Sequence, residues 1–350
     1  MYFLYLGFKT ILLITIQPFS ETRDGQAVYS VKLKNKAGME AHFLTYGAIL
    51  QRLIVPTGST KTDVVLGYED LGSYEEDNYF IGQLVGRNAN RIANAEAVLD
   101  GKKVQLSANE GKNQLHGGFE SFGKKVWSVT DLGDAVLFTY TSPDGDEGFP
   151  GNLETKFYVK LEEDNTLAMR YEATTDKETI VNLTRHEYFN MDAASGNGIT
   201  HHQLQINASA YLPKTPQNVP SGELKAVADS PFDLQKPVEL KERIAALEGG
   251  FDHNFVLNED RDDAPAAQLI SPDGKLKMEL YCTQPGIQFY SANGIADFEG
   301  KHGKIAGNCP GLCLEPQHFP DAPNHEHFPT TVLKPSQRYE HDIRYTFSYE

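Results

Sequence analysis

The chain has 350 residues, of which 40% are hydrophobic and 11% aromatic, so a sizeable core can form. Its formal net charge of −16, from 32 basic and 48 acidic residues, would repel phosphate backbones and anionic lipid. We therefore expect no nucleic-acid partner, and no membrane partner for the folded domain. A single all-β domain can reach this length, so the size alone does not require several domains.

The N-terminus differs from the rest of the chain. Residues 1–16 are largely apolar, with Lys9 inside them, and are too short to span a bilayer comfortably. The run Ile11–Ile16 is typical of a signal peptide, but no small-residue cleavage site follows it. We expect residues 1–17 to be an extension, either a poor export signal or a translation-start artefact, and residues 18–350 to form one domain. The expected location is cytoplasmic, with export as the alternative if the extension acts as a signal.

Strand-like segments dominate the rest of the sequence. They include Ala27–Leu33, Val136–Thr141, Leu153–Leu161, Leu167–Ala173 and Arg338–Tyr349. The polar cluster Glu162–Asn165 predicts a hairpin turn. The helical signal is weak, and its best candidate is Val238–Leu247, which is followed by Gly249 and Gly250. Because strands do not alternate with helices, the pattern predicts an all-β fold, a large antiparallel β-sandwich.

Polar and aromatic residues collect in short stretches between these segments. The densest stretch, Asn182–Asn190, contains His186 and more hydrogen-bonding groups than a core strand would bury without partners. Val85–Ile92 carries Arg87, Arg91 and two asparagines, a donor set suited to sugar hydroxyls. These stretches indicate a binding cleft.

Three further residues are candidates for chemistry. His116 precedes two glycines, which would let a ligand approach the backbone closely. Asp252 is flanked by two aromatic residues. Glu315 follows Gly311–Leu314, an expected buried strand, and a carboxylate at the end of such a strand is a candidate for a shifted pKa and a functional role.

The sequence predicts neither a metal site nor a disulfide framework. His201 and His202 are adjacent, so on a strand they would face opposite sides and could not easily share one metal. Cys282, Cys309 and Cys313 lack a second pair at zinc spacing and are expected to be ordinary thiols.

Taken together, these stretches resemble the aldose 1-epimerase (galactose mutarotase) family. The segments that match in family order are GRNANRI, LHGG, NLTRHEYFN, FDHNF, QPGIQFY and LCLEPQ with a later PDAPN. The resemblance runs from about Phe19 to Glu350. It implies the galactose mutarotase-like supersandwich fold and a monomer.

The resemblance implies an isomerase that interconverts the α and β anomers of free hexoses such as galactose and glucose. That reaction needs one base and one acid on opposite sides of the hemiacetal, and it requires no metal and no other cofactor. Glu315 is the implied base, and His186 is the implied acid, since imidazolium can donate a proton near neutral pH. The implied substrate-binding residues are Asn90, Arg91, His116, Tyr188, Asp252 and Gln288. The ring of Phe289 is a further candidate for stacking on a pyranose.

Two residues depart from the family pattern. Glu187 stands where a small residue, commonly Ser, follows the histidine, and Arg185 stands where Asn is frequent. On a strand, Glu187 should point away from His186. Both changes bear on which sugar is preferred.

Three alternatives stay open at this point. A glycoside hydrolase or lyase would use Asp252 and Glu315 as its two carboxylates, which leaves the histidines unexplained. A non-catalytic sugar-binding module would not need an acid and a base. An epimerase of hexose 6-phosphates would need a cluster of cations, for which Arg87, Arg91 and Arg185 are the only candidates near the motifs.

Overall fold

A computed structural model describes residues 12–260 and 264–350. The first strands in chain order are β1 (Leu13–Glu21), β2 (Ala27–Lys34), β3 (Glu40–Leu44), β4 (Leu50–Thr57), β5 (Thr60–Asp63), β6 (Leu84–Val85), β7 (Arg91–Ile92), β8 (Glu96–Leu99), β9 (Lys102–Gln105), β10 (Gln114–Leu115), β11 (Ser128–Asp131), β12 (Val136–Ser142), β13 (Leu153–Leu161), β14 (Thr166–Thr175) and β15 (Thr179–Ile180). They continue with β16 (Thr184–Arg185), β17 (Gln203–Ile206), β18 (Ala208–Tyr211), β19 (Lys225–Ala226), β20 (Val238–Glu239), β21 (Asp252–Leu257), β22 (Ala267–Ile270), β23 (Leu276–Cys282), β24 (Gly286–Tyr290), β25 (Ala296–Gly300), β26 (Gly303–Asn308), β27 (Cys313–Gln317), β28 (Val332–Leu333) and β29 (Tyr339–Tyr349). The α-helices are α1 (Leu71–Glu76) and α2 (Leu240–Ala245).

Three large antiparallel sheets form the fold, with short two-stranded sheets between them. The first sheet has the order β1-β2-β3-β4-β5. The second has nine strands in the order β11-β12-β13-β14-β29-β23-β22-β17-β20, and the third has the order β19-β18-β21-β24-β27. The all-β sandwich that the sequence predicts is therefore confirmed.

One large apolar cluster joins the three sheets. Phe43 of β3 lies 5.8 Å from Phe138 of β12 and 6.2 Å from Phe157 of β13, measured between ring centroids, so the first sheet packs on the nine-stranded sheet. Phe255 of β21 and Phe289 of β24 belong to the same cluster. Apolar and polar residues alternate along β13, as expected for a strand with one face buried.

The predicted hairpin is confirmed. Strands β13 and β14 pair from Leu153 opposite Thr175 to Leu161 opposite Leu167, and the turn contains Asn165 in the left-handed region, with φ of 65°. An asparagine tolerates this conformation better than most residues, which explains why the polar cluster marks the turn.

The predicted helix over Val238–Leu247 is only partly right. Val238 pairs with Leu204 at the edge of the nine-stranded sheet, so the segment begins as strand β20 and becomes helical at Leu240. A β-branched residue at the sheet edge overrides the helical period there. Helix α1 was not predicted. It begins after Asp70, whose side chain accepts a hydrogen bond from the Ser73 backbone N–H.

Part of the predicted extension lies in the first sheet. Strand β1 begins at Leu13, which pairs with Lys34, so residues 13–17 are hydrogen-bonded to β2. Residues 1–11 of the proposed signal lie outside the described part of the chain. Among the described residues, no helix is long and apolar enough to cross a membrane.

The third sheet positions the candidate chemistry. Two cross-strand rows run over one of its faces: Asn254, Gln288 and Glu315, and Asp252, Tyr290 and Cys313. Residues at alternate positions, including Phe289 and Leu314, belong to the apolar core. Glu315 lies in the middle of β27 rather than at the end of a strand, which corrects the sequence prediction. The strand continues to Gln317 because Gln317 pairs with Gly286.

Candidate active site

A cleft of about 180 Å³ lies over these rows. Its walls come from distant parts of the chain, and seven of the eight predicted site residues line it. The lining residues are Asn78, Tyr79, Phe80, Asn90, Arg91, Leu115, His116, His186, Tyr188, Asp252, Tyr290 and Glu315. The sequence motifs therefore meet in one place.

Glu315 lies at the floor of the cleft. Its side chain is 2% exposed, and its Oε1 lies 3.7 Å from Nε2 of His186. Burial raises the pKa of Glu315 well above its usual value, and the carboxylates of Asp252 and Glu187 add to this effect while Arg91 opposes it. Within the described part of the chain, Oε2 accepts no hydrogen bond. That oxygen is therefore available to a hydroxyl group in the cleft.

His186 follows the short strand β16 and faces Glu315. Its Nδ1 lies 3.5 Å from the Cys313 sulfur, and its backbone N–H donates to the carbonyl of Gln83. Burial lowers the pKa of His186 to about 4, although a backbone hydrogen bond and Asp252 act in the other direction. Burial therefore disfavours the imidazolium form that the sequence prediction invokes, and His186 remains the predicted acid.

His116 is held beside His186. The ring centroids are 5.2 Å apart, and Nδ1 of His116 accepts the Asn90 backbone N–H at 3.2 Å. Burial, with the charges of His186 and Arg91, lowers the pKa of His116 well below its usual value. The neutral ring with Nδ1 as acceptor carries its proton on Nε2, so His116 can donate a hydrogen bond from that nitrogen.

Asp252 is fixed as an anion at the side of the cleft. Lys214 donates to its Oδ2 at 2.9 Å and Gln288 to its Oδ1 at 2.7 Å, while Arg91 lies 3.8 Å from Oδ2. Burial would raise the pKa of Asp252, but Lys214, Arg91 and the hydrogen bonds bring it below the usual value. Gln288 is not among the residues that line the cleft. Its described contact is with Asp252.

Arg91 has a bidentate partner. Its Nε and one terminal nitrogen donate to the two oxygens of Glu110, both at 2.7 Å. The pairing leaves the remaining nitrogen directed towards Asp252 at 3.8 Å. The two hydrogen bonds to Glu110 fix the orientation of the guanidinium, and with it the direction in which the remaining nitrogen can donate.

Aromatic rings close the cleft around the histidines. The Phe80 ring lies 4.6 Å from the His116 ring and 5.7 Å from the His186 ring. Tyr188 packs 5.1 Å from His186, and its hydroxyl donates to the Tyr79 carbonyl. Phe289 is buried in the core cluster on the opposite face of β24, so the suggestion that it stacks on a sugar is wrong.

Two other sequence interpretations need correction. Arg87 does not enter the cleft, because its guanidinium donates to Ser142 and to the carbonyls of Ser142, Pro143 and Pro150. The glycines after His116 make room for protein atoms rather than for a ligand. A Cβ on Gly117 would lie 2.0 Å from the Gly86 carbonyl oxygen.

Sequence reasoning missed Phe80, which lines the cleft, and two residues that contact residues of the cleft, Lys214 and Cys313. Phe80 had no motif around it, and Lys214 lies in a polar loop. Cys313 was interpreted as an ordinary thiol, although its position two residues before Glu315 on a strand puts both on the same face. That spacing was the available signal.

The three residues His116, His186 and Glu315 also present possible metal ligands. Their donor atoms lie within 4.8 Å of one another, and two histidines with a carboxylate are a usual donor set for zinc. A cation there would occupy the atoms that could move protons.

We therefore expect the anomer interconversion that the sequence resemblance implies to survive removal of divalent cations. Protein dialysed against EDTA should retain its rate in metal-free buffer, whereas added Zn²⁺ should inhibit it. A rate that disappears on dialysis and returns with a stoichiometric metal would contradict this. Metal content of the dialysed protein is the control.

A buried glutamate, two histidines and fixed polar groups in one cleft define a β-sandwich protein with an acid–base site. Comparison with known proteins identifies the family. The aldose 1-epimerase sequence-family model matches residues 29–346. The chain belongs to the aldose 1-epimerase family, whose members are isomerases.

Individual relatives agree with this assignment. The chain is 40% identical to a galactose mutarotase of Bos taurus over 289 residues, 82% of this chain and 84% of that protein. It is 37% identical to an aldose 1-epimerase of Escherichia coli over 335 residues, 93% and 96% of the two chains. The crystal structure of a galactose 1-epimerase from Lactobacillus acidophilus superposes with a TM-score of 0.85 at 26% identity, covering 97% of this chain and 99% of that one.

Proposed function

We propose that this cleft interconverts the α and β anomers of free hexoses such as galactose and glucose, with Glu315 and His186 as the base and the acid. The observation that carries the proposal is the buried pair itself. A carboxyl with a raised pKa lies 3.7 Å from an imidazole with a lowered pKa. Two titratable groups shifted in opposite directions in one cleft are the usual arrangement for proton transfer.

The reaction needs two proton transfers in each direction. Glu315 takes the proton from the C1 hydroxyl while His186 gives a proton to the ring oxygen, and the C1–O5 bond breaks to leave an aldehyde. Rotation about the C1–C2 bond turns the other face of the carbonyl towards the C5 hydroxyl. Glu315 then returns its proton to O1 and His186 regains its proton from O5, so the enzyme ends unchanged.

Burial favours the ring-opening step. With a cyclic sugar in place, the pair must consist of a carboxylate and an imidazolium, and after ring opening both groups are neutral. The low-dielectric surroundings that raise the pKa of Glu315 and lower that of His186 make the charged arrangement the less stable one. Proton transfer to the sugar therefore relieves a desolvation penalty.

The other residues suit the binding of uncharged hydroxyl groups. Asp252 is an acceptor fixed between Lys214 and Gln288. His116 has a protonated Nε2, and Arg91 is oriented by Glu110. We assign these residues, with Asn90 and the Tyr188 ring, to substrate binding.

The alternatives receive less support. Of the cations considered for a 6-phosphate, Arg87 and Arg185 are buried in protein contacts and Arg91 is paired with Glu110. For hydrolysis, Asp252 would have to act as a base or nucleophile, but Lys214 and Gln288 already hold its two oxygens. A non-catalytic module would gain nothing from burying an acid–base pair.

The pH dependence of turnover should be bell-shaped, because the active pair holds one proton. Below about pH 4, His186 also becomes protonated while Glu315 keeps its proton, so the base is lost. Above the raised pKa of Glu315 the single proton is lost, so the acid is missing. Initial rates measured from about pH 3.5 to about pH 10, and corrected for spontaneous mutarotation, test the bell shape. A flat profile would contradict the shared proton.

The substrate class is tested with a blocked anomeric centre. Fresh α-D-galactose and α-D-glucose should reach equilibrium rotation faster with enzyme than without it. Methyl α-D-galactopyranoside should be unchanged, because its C1 oxygen carries no proton for Glu315 to remove. Release of methanol from the glycoside would instead indicate a glycoside hydrolase. Faster equilibration of galactose 6-phosphate than of galactose would indicate an epimerase of hexose 6-phosphates.

From the sequence, we also propose that the protein is cytoplasmic and monomeric. Cell fractionation and size-exclusion chromatography with light scattering test them.

A further inference from the structure

An ion pair lies directly behind His186. Arg185 and Glu187 flank the histidine in sequence, and both side chains are fully buried, with Nε of Arg185 2.5 Å from Oε1 of Glu187. The two residues on either side of His186 are therefore a matched pair of opposite charges.

The remaining polar atoms of the pair also have partners. The terminal nitrogens of Arg185 donate to the carbonyls of Ala48 at 2.8 Å and Gly82 at 2.9 Å, and the second oxygen of Glu187 accepts the Tyr345 hydroxyl at 3.1 Å. The guanidinium also lies over two phenylalanine rings of the core, 5.4 and 5.2 Å from their centroids. The pair is thus built into the packing between two sheets.

One of these bonds leads back to the cleft. Gly82 receives the Arg185 hydrogen bond at its carbonyl, and its own N–H donates to the carbonyl of His186 at 2.9 Å. The His186 N–H in turn donates to the carbonyl of Gln83. Two residues before Gly82 is Phe80, whose ring contacts both cleft histidines. Arg185 therefore fixes the segment that carries the aromatic wall relative to the histidine.

Stability alone does not explain such a pair. Taking two charges out of water costs more than their attraction commonly returns, and replacing a buried pair by apolar residues of similar volume is frequently neutral or stabilising. A buried pair is better explained where it selects one geometry. Resting on the proposed function, we propose that Arg185 and Glu187 are positioning residues that hold His186 and the Phe80 wall in the arrangement needed for proton transfer.

The decisive variant removes both charges together. R185M/E187L should melt at or above the wild-type temperature, since no charge is left unpaired. Its kcat for galactose should fall by about 10- to 100-fold, as expected when reacting groups move by a fraction of an ångström to an ångström. The KM should change by no more than about twofold, because the hydroxyl anchors are elsewhere. K160M/D134L, which removes an ion pair between two exposed side chains, is the matched control and should keep the wild-type kcat.

A single-charge variant gives a second readout. The charged or titratable groups around Glu315 are Asp252, Glu187, Arg91, His186, His116, Cys313 and Tyr188. Glu187 raises the pKa of Glu315, so E187Q should move the alkaline limb of the pH profile to lower pH. A purely structural role would lower the melting temperature and leave kcat at the pH optimum unchanged.

The outcomes distinguish failure of the positioning role from failure of the proposed function. Wild-type kcat, KM and pH profile in both R185M/E187L and E187Q would overturn the positioning role. If the double variant does not fold, E187Q decides: a wild-type kcat at the pH optimum overturns the proposal. If the wild type itself does not accelerate mutarotation, the proposed function fails. The imidazole ¹⁵N chemical shifts of His186 in the unliganded protein then test whether Arg185 and Glu187 position the ring. Identical shifts in the wild type and the variants would overturn the positioning role.

Discussion

Glu315→Gln is expected to reduce turnover by about 10²- to 10⁴-fold, the range lost when a general base is removed. Glutamine has the shape of the protonated carboxyl but cannot accept the C1 proton. The fold should persist, because burial already disfavours the charged form of Glu315 in the native state. Its raised pKa means that ionisation near neutral pH costs stability, so the variant should melt no lower than the wild type.

A matched substitution separates the role of this position from the chemistry of the change. Glu299 lies exposed on β25, and Glu299→Gln makes the same replacement away from the cleft. We expect it to keep the wild-type rate. If Glu315→Gln were also near the wild-type rate, the assignment of the base would be wrong.

His186→Asn should lower turnover by about 10²- to 10⁴-fold while galactose still binds. Asparagine offers a hydrogen-bond donor but cannot exchange a proton with the ring oxygen. Binding should persist because Asp252, Arg91 and His116 remain. Isothermal titration calorimetry with galactose gives the affinity, and polarimetry gives the rate.

The control for this variant is His201→Asn, since His201 has an exposed side chain. It should leave both affinity and rate unchanged. Loss of folding in His186→Asn would point to a structural histidine. In the variant that lacks both Glu315 and His186, the loss should be close to that of either single variant, because groups that act as a unit are not additive.

Local patterns were sufficient to predict the long strands. Strand β13 alternates apolar and polar residues, and its hairpin with β14 has a recognisable polar turn. The helix over Val238–Leu247 was misjudged because the edge of the nine-stranded sheet captures Val238, which a local period cannot show. The start of the first sheet at Leu13 depends in the same way on its partner β2.

The residues of the cleft and the shifted pKa of Glu315 were predictable, but the lowered pKa of His186 was not. Glu315 and His186 stand in recognisable motifs, whereas the lowered pKa of His186 depends on burial by segments distant in sequence. Arg87 and Arg91 look equivalent in the sequence. The structure separates them, because Arg87 contacts Ser142 in the core and Arg91 contacts Glu110 beside the cleft.

The departures at Arg185 and Glu187 show why single positions mislead. Each alone suggests a charge near the histidine, and together they form a neutral pair on the far side of it. Only the three-dimensional contacts, with Gly82 and with Tyr345, give the pair a role.

The most direct test is polarimetry of freshly dissolved α-D-galactose with wild-type protein and with Glu315→Gln, under identical conditions. The proposed chemistry predicts that the wild type accelerates the decay of rotation and that the variant leaves it close to the spontaneous rate. Equal acceleration by both proteins would contradict the assignment of Glu315 as the base. No acceleration by the wild type would contradict the proposed activity itself.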